Sequence, residues 1–380
     1  MKYVLNSIYK YFKTTDVVLF ILTIFISLFG MIMVYSATLY MPSNTKILQM
    51  QVIAILIGIC VMVIISKMDY HSITNLWKFI AVAAILLFIL TIIIGSGRAG
   101  VPEKAWIKIA GLSIQPSEMV KIAFIITFAK HIDLVKENIS SPKNVVLLIL
   151  HASIPIGFII KQGDMGMTLV FAFMFICMMF AGNLRLRYFV GAAILGLIAA
   201  PIAWLKLGSR QMGRILALFD PTNPIYSPYA YQQTQGRTAV ASGELWGYGL
   251  FHGPKTQSLA SSALPERQND MIFAVIGEEL GFIGCIVIVI LLLALLMKIL
   301  LTARASKDLL GSVICIGVFS TFAIQMITNI GMCLSLMPVI GLTLPFLSSG
   351  GTSLLSAFMA MGLVLSVYNN RSNLLFSNIQ

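Results

Sequence analysis

Charge is scarce in this chain. Asp and Glu together number 14 in 380 residues, and all charged residues make up only 11%. Hydrophobic residues make up 58% and the mean hydropathy is +0.93, a balance that excludes a soluble globular domain. Cysteine is sparse as well. Cys60, Cys177, Cys285, Cys315 and Cys333 fall in or beside apolar stretches with no paired spacing, which excludes a disulfide frame and a zinc site built on cysteine. The sequence has no low-complexity tract and no evident repeat. Its formal net charge is +12, but the basic residues are scattered between apolar stretches. That pattern fits membrane topology and anionic headgroups and argues against nucleic acid as a partner.

What remains is membrane-length hydrocarbon. Windows of about 20 residues, set against a hydrocarbon core of roughly 30 Å, give ten apolar segments near 16–36, 49–66, 76–94, 116–132, 145–161, 165–182, 188–206, 271–298, 309–332 and 346–368. The expected fold is therefore an all-α polytopic membrane protein of about ten transmembrane helices, one membrane domain over 1–380. A single large loop, 207–269, separates spans 7 and 8. The first segment follows a basic start and is succeeded by nine more, so it reads as a retained anchor rather than a cleaved signal. With the N-terminus inside, the inner side holds Lys2, Lys10, Lys13, Lys67, Lys78, Lys130, Lys136, Lys143, Arg185, Arg187, Lys298, Arg304, Lys307 and Arg371. The short outer loops hold only Lys46, Arg98, Lys104, Lys108 and Lys161. By the positive-inside rule both termini are expected to be cytoplasmic and the large loop external.

That loop is rich in Pro, Gly, Tyr and Gln, as in Asp220-Pro221-Thr222-Asn223-Pro224, Tyr231-Gln232-Gln233 and Gly243-Glu244-Leu245-Trp246-Gly247-Tyr248-Gly249. Structureless loops of this length are uncommon unless they are functional or disordered. Trp246 and the tyrosines point to docking at the outer membrane face. The loop ends in Leu264-Pro265-Glu266-Arg267-Gln268-Asn269-Asp270, directly before the apolar run that carries Gly277-Glu278-Glu279-Leu280-Gly281. Carboxylates beside hydrocarbon are costly and usually functional. Asp270 has two readings. It caps the helix that follows, a common use of Asp, or it is a base held at the edge of a low-dielectric wall.

Three other outer-side places combine polar and apolar sequence. Gln115-Pro116-Ser117-Glu118 opens the fourth span, and Lys121 follows Glu118 by three positions. Pro in a first helical turn and an acid at the positive helix end are ordinary start signals, while the spacing stacks Glu118 and Lys121 on one face as an ion pair or a substrate-binding pair. Lys161-Gln162-Gly163-Asp164 is a tight turn in which Asp164 is placed to cap the sixth span. Last, Met337 to Ser353 interrupts apolar sequence with glycines, prolines and hydroxyls. It reads as a re-entrant element lining a wet cavity or as a close helix crossing.

Taken in order from about 105 to 368, these motifs resemble the SEDS family of shape, elongation, division and sporulation proteins. The segments that carry the resemblance are Gln115-Pro116-Ser117-Glu118 with Lys121, Lys161-Gln162-Gly163-Asp164, Leu264-Pro265-Glu266 through Asp270 to Gly277-Glu278-Glu279-Leu280-Gly281, and Leu344-Pro345-Phe346 to Gly350-Gly351. The chain departs from the family pattern at Ala105, Gly163, Met167, Asn269 and Ser349. The resemblance implies a peptidoglycan glycosyltransferase that polymerises lipid II at the outer face of the bacterial cytoplasmic membrane. It also implies a class B penicillin-binding protein as partner, within the elongation or division machinery. Short termini lean toward the elongation, rod-shape type.

Such a reaction needs a base near the attacking sugar hydroxyl and fixed positive charge or a metal near the departing pyrophosphate. Asp270 is the expected catalytic base. Glu118, Lys121, Trp106, Gln115, Ser117, Asp164, Glu266 and Arg267 are the expected substrate-binding set. Arg210, Arg214, Arg237, Lys255 and Arg267 are the loop cations that could meet phosphate. No ligand spacing demands a metal, while Glu266, Asp270 and Asp164 on one side leave a divalent cation such as magnesium open. Two rival functions are a lipid II flippase, which predicts charge at the bilayer midplane, and a noncatalytic scaffold.

Overall fold

The computed structural model describes residues 11–97, 105–109, 112–259 and 263–371. Lys2, Lys10, Arg98 and Lys104, used above to orient the chain, lie outside them. Each of the ten apolar segments is a helix. The chain order is α1 (Val17–Thr38), α2 (Asn44–Lys67), a short α3 (Tyr70–Asn75), α4 (Trp77–Ile94), the hairpin β1 (Ile107–Ile109) and β2 (Leu112–Ile114), α5 (Pro116–Val135), α6 (Pro142–Gln162), α7 (Met165–Ala181) and α8 (Leu186–Lys206). There follow α9 (Ser209–Phe219), α10 (Ser227–Ser242), α11 (Ile272–Arg304), α12 (Leu309–Cys333) and α13 (Gly351–Asn369).

By length and composition, α1, α2, α4, α6, α11, α12 and α13 can each cross a membrane, and α7 and Leu186–Ile202 of α8 are shorter apolar helices. The remaining predicted span, α5, has the length but carries Glu118, Lys121, Lys130 and Asp133. The protein is polytopic and built of helices.

Local chemistry explains the boundaries. Pro116 and Pro142 occupy first-turn positions, where the missing N–H costs nothing, in α5 and α6. Gly163 ends α6 at a φ of 82°, the left-handed conformation that glycine adopts without strain. Inside the bundle α12 is the axis, buried from Leu310 to Cys333 on nearly every side, against α7, α11 and α5. Next to it α13 packs along α2 so closely that a Cβ on Gly58 would meet the Phe358 ring at 2.2 Å. By contrast α8 has no buried residue along its described length.

Two features depart from plain spans. The loop at 207–269, read from sequence as one large docking loop, contains α9 and α10. It folds because α10 finds a partner in α11: a Cβ on Gly236 would already touch Met271 Sδ at 3.1 Å. Residues 334–350 are non-helical between α12 and α13, with Leu344, Phe346 and Leu347 buried. Irregular backbone of this kind is stable at depth only when enclosed by protein or lining a cavity. The stretch read from sequence as re-entrant or as a close helix crossing is irregular backbone with buried apolar side chains.

Candidate active site

The N-terminal ends of five spanning helices, α2, α5, α7, α11 and α13, converge on one cavity of about 670 Å³. All five are alternate spans, so all five ends lie on the same side of the bundle. Helix N-termini carry partial positive charge. The remaining walls come from the β1–β2 hairpin, α9, α10, the 266–270 turn and the irregular stretch between α12 and α13.

Six of the nine expected site residues line this cavity: Trp106, Gln115, Glu118, Asp164, Glu266 and Asp270. They arrive from four separate stretches of chain. Asp164 plays two parts. One carboxylate oxygen caps α7 by accepting the Met167 N–H at 2.9 Å, and the other accepts the Gln115 amide at 3.0 Å. The cap reading is correct, and it leaves the residue on the cavity wall.

Asp270 stands two residues ahead of α11, which begins at Ile272 with Met271 in the N-cap position. The Asp270 carboxylate lies beside Gly341, where a Cβ would sit 3.5 Å from Asp270 Oδ2. Gly341 has a φ of 70°, so glycine is the residue this backbone accepts without strain. The side chain is 6% exposed, at the edge of protein and cavity.

Ser117, Lys121 and Arg267 do not line the cavity. Lys121 stands behind Glu118, its ammonium 2.6 Å from the carboxylate, with both side chains under 5% exposed. Ser356 adds a hydroxyl to the same Glu118 oxygen at 2.6 Å. The spacing-based ion pair is present, and only its acid reaches the cavity. Ser117 is buried and its hydroxyl has no hydrogen-bond partner. Arg267 is buried too, and its guanidinium donates to the main-chain oxygens of Ser258 at 2.7 Å and Lys255 at 3.4 Å. Burial pulls its pKa down against the opposing charge of Glu278. Those contacts make it a brace for the loop, because an arginine fork satisfies orphan carbonyls as readily as phosphates.

Of the loop cations named from sequence, Arg214 lines the cavity. Lys46, which sequence reasoning used only for topology, lines it as well, as do the amides of Gln51, Gln232 and Gln268. A lone Lys between two apolar spans carries no local signal of a site. Among the described residues no group of three or more His, Cys, Asp or Glu is placed to hold a metal ion.

The Gly277–Gly281 motif works as an anchor. Gly281, at φ 65° and ψ −165°, breaks α11. The loop backbone docks into the break: the N–H groups of Tyr248 and Gly249 donate to the oxygens of Glu278 and Glu279 at 3.1 and 2.9 Å, and the Phe282 N–H donates to Glu244 O at 2.8 Å. Glu278 accepts the N–H groups of Lys255 and Thr256 at 2.9 and 2.8 Å and the Thr256 hydroxyl at 2.6 Å. Both acids are fully buried and belong to the loop's foundation rather than to the cavity.

A family model described as cell cycle protein and named for FtsW, RodA and SpoVE matches residues 16–373. Among curated relatives, a probable peptidoglycan glycosyltransferase FtsW of Trichlorobacter lovleyi is 34% identical over 369 residues, covering 93% of this chain and 92% of its own. The stage V sporulation protein E of Bacillus subtilis is 34% identical over 359 residues, covering 93% and 96%. Among solved structures, a chain of a peptidoglycan synthase complex that coordinates polymerization and crosslinking superposes with a TM-score of 0.81 at 25% identity, covering 94% and 99%. The rod shape determining protein RodA of Thermus thermophilus superposes at 0.70, also at 25% identity, covering 94% and 97%. These relatives are named for peptidoglycan glycosyl transfer, sporulation and rod shape, and do not distinguish the expected rod-shape type from the FtsW type. With one family model running almost end to end and six of the expected site residues gathered on one cavity, the chain belongs to the FtsW, RodA and SpoVE family of cell cycle proteins, the SEDS family.

Proposed function

We propose that this protein is a peptidoglycan glycosyltransferase that polymerises lipid II, with Asp270 as the general base. The observation that carries the reading is that Asp270 lines the same cavity as Glu118, Asp164, Gln115 and Trp106. A relative at 34% identity bears the name of that activity. In the reaction, the 4-hydroxyl oxygen of one lipid-linked disaccharide bonds to the anomeric carbon of another as the bond from that carbon to the pyrophosphate oxygen breaks. Asp270 takes the hydroxyl proton, and the polyprenyl pyrophosphate leaves as an anion. Direct displacement inverts the anomeric centre. Lys46, Arg214 and the converging helix ends offset the phosphate charge, which needs neutralising more than protonating. Amide side chains on the wall suit the hydroxyl and acetamido groups of the sugars.

The helix ends around the cavity are those of even-numbered spans. With the N-terminus cytoplasmic, as the Lys and Arg distribution favours, the cavity opens at the outer face of the bacterial cytoplasmic membrane. A class B penicillin-binding protein is the fitting partner, in line with the superposition on a chain from a synthase complex that couples polymerization to crosslinking. The acids sit at helix ends rather than at mid-span, which favours catalysis over transport.

The test is polymerisation of labelled lipid II by the purified protein, with and without the cognate transpeptidase, comparing wild type with Asp270→Asn at equal folded amount. Glycan ladders from wild type and none from the variant are expected. Equal ladders from both would remove Asp270 as the base. Absence of ladders from wild type even with its partner, combined with lipid II translocation in vesicles, would favour the flippase.

A further inference from the structure

Three consecutive main-chain carbonyls lead up to the carboxylate of Asp270, and each is held by a donor from a distant part of the chain. The Ser349 N–H donates to Gln268 O at 2.7 Å. The Ser348 hydroxyl donates to Asn269 O at 2.6 Å. The Asn329 side-chain amide donates to Asp270 O at 2.9 Å. Nothing local in the turn could satisfy these oxygens in this way, since the partners lie 59 to 81 residues onward in the chain.

Two of the donors are doubly engaged, which fixes their orientation. Ser348 Oγ accepts the Leu344 N–H at 2.8 Å, so its single proton is committed to Asn269 O. Asn329 has two amide protons on one nitrogen, and the second goes to Leu342 O at 2.8 Å. Turning that amide over would point its oxygen at two carbonyls. The present orientation leaves Asn329 Oδ1 buried without a hydrogen-bond partner. An orphaned buried acceptor has a cost, here accepted in exchange for bridging two carbonyls from different segments. Leu342 and Ser349 are themselves on the cavity wall. The Asp270 turn and the irregular stretch between α12 and α13 therefore form one hydrogen-bonded unit, with a buried helix, α12, as its fixed side.

We propose that Ser348 and Asn329 are positioning residues for Asp270: they touch no substrate and act by holding its main chain, so that its carboxylate keeps one location relative to Gly341 and the cavity. This rests on the reading of Asp270 as the general base. A base set by its own short side chain from a loop wanders with the loop. One whose backbone is pinned at three successive residues does not, and displacement of a catalytic group by about 1 Å costs on the order of a hundredfold in rate.

The experiment compares Ser348→Ala, Ser348→Thr and Asn329→Asp with wild type in lipid II polymerisation, all normalised to folded protein by size-exclusion profile and thermal midpoint. Expected is a fall in kcat of about tenfold to a hundredfold for Ser348→Ala and Asn329→Asp with KM unchanged within about twofold. Ser348→Thr, which keeps the hydroxyl, should recover most of the rate. The acid limb of the kcat–pH profile should also shift in the Ala and Asp variants, because the carboxylate's surroundings change with its position. A merely structural role would lower folded yield while leaving kcat, KM and the pH limb per folded molecule as in wild type, and that result overturns the proposal. Failure of the underlying reading looks different: there Asp270→Asn polymerises as wild type does. If Asp270→Asn is inactive and the clamp variants keep full kcat, the base stands and the clamp falls.

Discussion

Glu279 accepts the hydroxyl of Ser36 at 2.6 Å, across 243 positions of sequence, and so ties the break in α11 to the first span. The same carboxylate accepts the Gln257 amide at 2.9 Å and the Phe251 N–H at 3.2 Å. With Glu278 beside it, a pair of buried acids collects donors that the irregular loop cannot satisfy for itself. The rim of the cavity stands on this foundation, so the loop can carry Arg214 and Glu266 to fixed places without regular sheet structure beneath it.

Replacing Glu279 by Gln retains the shape but turns one acceptor into a donor facing Ser36 and Gln257. Glu279→Gln should lower stability by about 1–3 kcal/mol, the cost of unsatisfied buried polar groups. Ser36→Ala removes a hydroxyl that donates to Glu279 and accepts the Gln257 amide at 3.0 Å, and should likewise cost about 1–3 kcal/mol. Thermal unfolding in detergent checks both, and a Gln variant as stable as wild type would contradict the anchoring role.

Gly281 and Gly247 approach each other as backbones: a Cβ on Gly281 would lie 2.4 Å from Gly247 N, at a φ of 65° that strains any other residue. Gly281→Ala should therefore fail to accumulate as folded protein. Gly157, inside α6, has nothing within 4 Å of where its Cβ would be, and Gly157→Ala should hold or raise stability by up to about 1 kcal/mol through helix propensity. The pair gives an internal control, read by fluorescence size exclusion. Equal folded yield for the two variants would show that the loop does not dock into the helix break.

Hydropathy made the ten helices legible, because lipid selects long apolar runs whatever packs against them. It could not show that α8 stands clear of the core while α12 is its axis, since both are apolar and only tertiary contact separates them. The helices of the large loop escaped notice for another reason. Residues 227–242 include Tyr, Gln, Thr and Gly without a clear apolar stripe, and their helix is held by α11 rather than by its own pattern. Asp270 shows where sequence stops: Asp before an apolar run serves both cap and base, and the two differ only in whether the helix starts one residue sooner. Glu118 and Lys121 were readable as a pair from their spacing, but that only Glu118 reaches the cavity depends on tertiary packing that spacing does not carry.

Arg267 offers a test of brace against ligand. If it holds the loop through Ser258 and Lys255, Arg267→Gln should lower the unfolding midpoint by an amount matching about 1–3 kcal/mol for carbonyls left without a donor. Per folded molecule, KM for lipid II should stay within about twofold of wild type. A KM raised tenfold with stability unchanged would return Arg267 to the substrate.

The pair Glu118 and Lys121 separates structure from chemistry by three variants. Glu118→Gln leaves an ammonium buried without its counter-charge, and Lys121→Met leaves a carboxylate facing the cavity without its partner. Breaking a buried pair by removing one member costs about 3–5 kcal/mol, so both single variants should be poorly folded and uninformative about mechanism. Glu118→Gln combined with Lys121→Met removes both charges, retains the approximate volumes and should recover most of the lost stability. If the pair only braces α5 against α13 through Ser356, this double variant should polymerise lipid II nearly as wild type does. If the Glu118 carboxylate meets the substrate from the cavity wall, as its position implies, the double variant should fold well and still lose activity by tenfold or more, about 1.4 kcal/mol of transition-state stabilisation. Thermal midpoint and turnover measured on the same preparation decide between the two, because stability then no longer varies with the chemistry.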